Sequence, residues 1–112
     1  MNELSKKKCV PCEEGGQRMT PEQARDLLPQ VAGWELADDA TKLVRSYAFK
    51  DFASALAFVN AVGALAEAEW HHPDIAFGWG RVELTFTTHN LRGLDENDFI
   101  MAAKVNALNV NP

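Results

Sequence analysis

Three histidines are all the chain has, and their spacing lets them meet: His71 and His72 are adjacent and run into Pro73, while His89 follows Thr88. Imidazole is the side chain whose unperturbed titration lies near neutral pH, so converging histidines can hold a divalent cation or move protons without one. Two adjacent ligands would have to turn inward from one short piece of backbone, and no HExxH helix is present. Metal-free acid-base chemistry suits the same side chains better, one histidine giving a proton to a departing hydroxyl while another accepts a hydrogen bond from a ring nitrogen. Carboxylates stand within reach. Glu67 lies four residues before His71, close to one helical turn, where it can orient that ring or contact an amidine-like group. Asp98 can support the site in a similar way from the start of a later helix. Either acid also has a plainer reading as a solvated or capping group. Trp34 and Trp79 would ordinarily be core residues, although either can present a ring to a flat ligand.

Elements must carry these side chains to one place. Pro73 disfavours helical geometry at His72, so the helix before it has to stop at the pair. That helix is placed at residues 52–69, capped by Asp51, with Phe52, Ala55, Leu56, Val59, Val62, Gly63 and Ala66 recurring near the helical period. A shorter helix starts at Thr20 and Pro21 with Gln23 completing a capping box, and Pro29 and Gly33 bring it to an end. Residues 34–36 and 43–49 read as strands about an Asp38-Asp39 turn; Leu43, Tyr47 and Phe49 share a side that Arg45 interrupts. Residues 75–79 and 81–88 form the next pair, joined at Gly80. Val82, Leu84 and Phe86 alternate there with Glu83, Thr85 and Thr87, and His89 continues the polar side. Asp95 caps a final helix that runs to about residue 108, with Asp98 in its first turn. The order α-β-β-α-β-β-α predicts an α+β fold: a four-stranded antiparallel sheet with three helices on one face.

A chain of 112 residues fits one domain, here 20–112, preceded by an arm of residues 1–19. A domain this size buries only about two-thirds of its unfolded surface, so association would add burial. Sixteen acidic against 11 basic side chains give a formal charge of -5, which argues against nucleic acid as a direct partner. No apolar stretch reaches the roughly 20 residues of a membrane span and no signal-type apolar region follows the basic run, so a cytosolic location is expected. Cys9 and Cys12 have the spacing of half a zinc site or a redox pair, against a plainer reading as part of a loosely held arm ending at Gly15-Gly16. Lys6-Lys7-Lys8 reads as a solvated tail.

Taken together, Glu67, His71-His72-Pro73, Trp79, Thr88-His89, Gly93-Leu94 and Asp98 make an ordered set that closely resembles the pterin-4a-carbinolamine dehydratases, also called the dimerisation cofactor family. Leu27-Leu28-Pro29, Gly33-Trp34 and the Phe49-to-Phe52 junction extend the resemblance over about residues 20–108. Trp79 stands at a position often filled by tyrosine, and Asp95 where relatives commonly have serine or threonine. The resemblance implies a hydro-lyase that dehydrates a 4a-hydroxytetrahydropterin, the tetrahydrobiopterin compound in particular, to quinonoid dihydropterin with no metal or organic cofactor. It makes all three histidines catalytic, assigning proton transfer chiefly to His72 and His89, and to His71 the binding and orientation of the pterin with an assisting part in catalysis. Glu67, Trp34, Pro73, Trp79 and Asp98 would line the substrate. A homodimer or homotetramer is implied as well. The alternative is a noncatalytic pterin-binding or dimerisation module; some relatives partner a homeodomain transcription factor, for which this sequence holds no visible recognition code.

Overall fold

The computed structural model describes residues 4–9 and 18–108. Its main elements are α1 (Pro21–Leu27), β1 (Glu35–Ala37), β2 (Lys42–Ala48), α2 (Phe52–Glu69), β3 (Asp74–Gly78), β4 (Arg81–Phe86) and α3 (Glu96–Asn106). Short 3-10 turns lie at Leu4–Lys6, Leu28–Gln30 and His89–Leu91. The four strands form one sheet in the order β1-β2-β4-β3, every neighbouring pair antiparallel. The α+β architecture and its element order are those expected, with strand ends displaced by one or two residues.

The register explains which face is buried. Leu43 pairs with Phe86 and Tyr47 with Val82, while Ile75 and Phe77 stand opposite Leu84 and Val82. These side chains point to one side, where α2 and α3 cover them; Ser46 and Glu83 share the solvent side. Arg45 belongs to the buried side, and it is satisfied there. Its guanidinium donates to the carbonyl of Ala32 at 3.2 Å and to Asn106 at 2.7 Å, and lies 4.6 Å from the centre of the Tyr47 ring. Gly33 lets this happen: its φ is +88°, and a Cβ on it would stand 2.7 Å from the Arg45 guanidinium carbon.

Caps fix where the helices begin. Thr20 and Gln23 form the reciprocal capping box at α1, and the Asp51 carboxylate accepts the Ser54 N–H at 2.8 Å at α2. Ala55, Phe58, Val62 and Ala66 bury the inner face of α2. Among the described residues α2 is also the one helix long and apolar enough to cross a membrane. Residues 4–9 depart from the expected loose arm: Leu4 is buried in the main core, Lys7 pairs with Glu96, and the segment packs along α3. Cys12 and Gly15-Gly16 lie outside the described residues.

Candidate active site

The geometry begins with how α2 stops. Trp70 adopts the left-handed conformation (φ 54°, ψ 43°), and both its N–H and that of His71 return to the carbonyl of Ala66. Beyond that kink the two histidines part company. His71 turns inward and places Nε2 2.6 Å from Asp98 Oδ1, its ring stacked 6.2 Å above Phe86 with an interplanar angle of 9°. His72 turns outward and places Nε2 2.5 Å from Glu67 Oε2, with the Trp70 indole edge-on at 5.0 Å. Glu67 therefore serves His72, and the expected Glu67–His71 relation is replaced by His71–Asp98. The reason is local: the left-handed residue takes His71 off the helix, so helical spacing no longer decides which ring lies above Glu67.

Asp98 is fully buried, and both of its oxygens are used. Oδ1 faces His71, while Oδ2 accepts the Thr88 hydroxyl at 2.8 Å and the Asp95 N–H at 3.1 Å. The last bond is one half of the α3 capping box; Asp95 in turn accepts the Asn97 N–H at 2.9 Å. A helix N-terminus, a hydroxyl and an imidazole thus converge on one carboxylate. Burial works against the charged form of His71, but the hydrogen bond and charge of Asp98, with the charge of Asp95, outweigh it and hold the imidazole above its ordinary 6.5. Burial and the nearby Asp98 also raise Asp95. One ligand atom from each of His71, Asp95 and Asp98 lies within 4.8 Å of the others. His71 Nε2 and both Asp98 oxygens are engaged in the hydrogen bonds just described, an arrangement that can hold or pass a proton.

The remaining expected residues distribute unevenly. Pro73 is half-buried at the entry to β3, directly beyond the histidine pair. β4 ends at Phe86, two residues short of expectation, and His89 opens the following 3-10 turn as an exposed residue. Its neighbour Thr88 is bonded to Asp98, so the backbone at His89 joins the same junction. Trp34 does not present its ring to a ligand. It is 4% exposed, donates its indole N–H to Asn106 at 3.0 Å, and packs 5.6 Å from Phe86. Trp79, 75% exposed, occupies the turn joining β3 to β4. The β3 strand separates it from Pro73, so within one chain it is at the far end of the hairpin from the histidines. Thr88 and Phe86 are the site residues that sequence reasoning left without a role. Phe86 was hidden by its ordinary place in a core alternation, and Thr88 by a partner ten residues away.

The sequence matches the family model described as pterin 4 alpha carbinolamine dehydratase over residues 17–108. A Methylococcus capsulatus protein named "Putative pterin-4-alpha-carbinolamine dehydratase" is 53% identical over 105 residues, covering 94% of this chain and 92% of its own length. The Arabidopsis thaliana protein named "Pterin-4-alpha-carbinolamine dehydratase 2, mitochondrial" is 50% identical, over 96% of this chain and 60% of its own. Among solved structures, a protein from Brucella Melitensis described as a transcriptional coactivator/pterin dehydratase superposes with a TM-score of 0.76. It shares 35% identity and covers 81% of this chain and 97% of its own. A family model matched over residues 17–108 and relatives of about half identity along nearly the whole chain show that this chain belongs to the pterin 4 alpha carbinolamine dehydratase family.

Proposed function

We propose that the chain is a hydro-lyase that dehydrates pterin-4a-carbinolamine to quinonoid dihydropterin, with the tetrahydrobiopterin compound as substrate. The observation that carries the reading is the presence of two separate histidine–carboxylate pairs on adjacent residues, His71 with Asp98 and His72 with Glu67. The reaction requires two proton movements. The N5 lone pair expels the C4a hydroxyl, which leaves as water only when protonated, and a ring-nitrogen proton is then lost. No electron is gained or lost overall, so an acid and a base suffice.

The two pairs and His89 divide this work. In the tautomer that gives Nε2–H to Glu67, His72 offers Nδ1 as an acceptor, the arrangement of a general base for the ring-nitrogen proton. His89 then protonates the leaving hydroxyl. His71, its protonated form favoured by the Asp98 contact, orients the ring system. Glu67 and Pro73 complete the binding side. A homodimer or homotetramer and a cytosolic location belong to the same proposal.

The test is to supply freshly generated carbinolamine and follow quinonoid dihydropterin by absorbance in chelator-treated buffer. Formation well above the spontaneous rate is the expected result. A rate equal to the spontaneous one, with pterin still bound, would leave the noncatalytic binding module in its place.

A further inference from the structure

We infer that Glu69, which no part of the histidine signature includes, is a positioning residue: paired with Lys104 in the last turn of α3, it holds the segment 4–9, which ties the end of α2 to the start of α3 and so sets the His71–Asp98 contact. The inference rests on the function proposed above only for its kinetic consequence. Glu69 is the last residue of α2, two before His71, and Asn97 is the residue before Asp98. The segment 4–9 bridges those two places. The Cys9 N–H donates to Glu69 Oε1 at 3.0 Å, and the Cys9 sulfur lies 3.9 Å from the Asn97 carbonyl. Lys104 Nζ stands 3.9 Å from Glu69 Oε2 and donates to the Ser5 carbonyl at 3.0 Å. Lys7 reaches Glu96 at 2.8 Å in the same first turn of α3.

Helix stability does not explain a glutamate there. A carboxylate at a helix C-terminus opposes the helix dipole, and the Glu69 and Lys104 side chains are each only 15% exposed, where an acid is costly unless it is paired. Burial of Cys9 is the main influence raising its thiol to about 12, with Glu69 next and Asp95 and Asp98 contributing; the segment 4–9 therefore lies among the same carboxylates that hold His71. Leu4, buried in the core, anchors the other end of the segment. The clamp thus closes a loop of contacts around the place where the end of α2 meets the start of α3 through His71 and Asp98.

Glu69→Gln keeps the shape and an acceptor for the Cys9 N–H but removes the charge facing Lys104; Lys104→Met removes the same pair from the other side. The readout is the His71 ring titration by NMR. Deleting a negative charge lowers a neighbouring imidazole's midpoint and deleting a positive one raises it, so a fall in both variants reports the geometry of the contact and not the lost charge. The midpoint is expected to fall by about half a unit or more in each variant as the contact loosens. In the dehydration assay kcat should drop by about three- to ten-fold with KM within about two-fold, and the double variant should be no worse than the more impaired single one. An unchanged His71 titration in both folded variants, or shifts of opposite sign in the two, overturns the clamp, whatever the assay gives. A shifted titration in a protein that shows no dehydration at all would uphold the clamp and count against the proposed function.

Discussion

Asp98 joins three things that the chain holds far apart: the histidine loop after α2, the threonine after β4 and the N-terminus of α3. Replacing it with asparagine keeps the volume but leaves a buried network with one oxygen fewer and no charge. Asp98→Asn should lower the His71 midpoint by NMR and destabilise the fold by about 1–3 kcal/mol in urea denaturation. The pH dependence has a definite sign. Because folding raises the His71 value above 6.5, its contribution is complete below that pH and is lost as pH rises through the folded value; the asparagine variant should lose this part of the slope. Trp70 offers the opposite kind of test. It is 75% exposed and holds φ +54°, a conformation that costs residues other than glycine about 1–2 kcal/mol. Trp70→Gly should therefore raise stability by roughly 1 kcal/mol while leaving Glu67 and His72 free to meet. A lower melting temperature would show that the indole contributes more than the strained backbone costs.

At the scale of elements, what was legible in the sequence was what local rules determine. The bounds of α2 follow from the Asp51 cap, the 3.6 period and the stop before Pro73, and they coincide with the helix observed. The end of β4 was misplaced because tertiary bonds decide it: the Thr87 hydroxyl leaves the sheet to donate to the Thr41 carbonyl at 2.7 Å, and Thr88 closes a bridge to Gly93. Trp34 takes the core placement that its type suggests, but its indole partner, Asn106, comes from the other end of the chain and is not announced by local sequence. The swap of carboxylates between the histidines depends on a single left-handed residue that no periodicity announces. Phe86 shows how the elements serve the site. It is fully buried in β4, with Trp34 and His71 both against its ring. Phe86→Ala should cost about 3–5 kcal/mol and reduce dehydration further than stability alone explains, because His71 loses the surface that fixes its plane. Activity unchanged in the folded fraction would detach Phe86 from the site.

For the whole molecule, the sheet leaves β1 and β3 as edges, and Phe52, Leu56 and Trp79 are exposed hydrophobics on its periphery. Unpaired edges and apolar side chains of this kind favour association, so sedimentation over a concentration series should give a dimer or tetramer mass; 12.4 kDa throughout the micromolar range would contradict this. The central claim is that proton transfer by histidines on this small sheet expels water from a pterin carbinolamine. Its most direct measurement is the dehydration rate of the intact protein beside His72→Ala and His89→Ala, with folding checked by circular dichroism. The account predicts a rate far above the spontaneous one for the intact chain and a fall in kcat/KM of at least about ten-fold in each variant. Near-normal rates in both folded variants would contradict it.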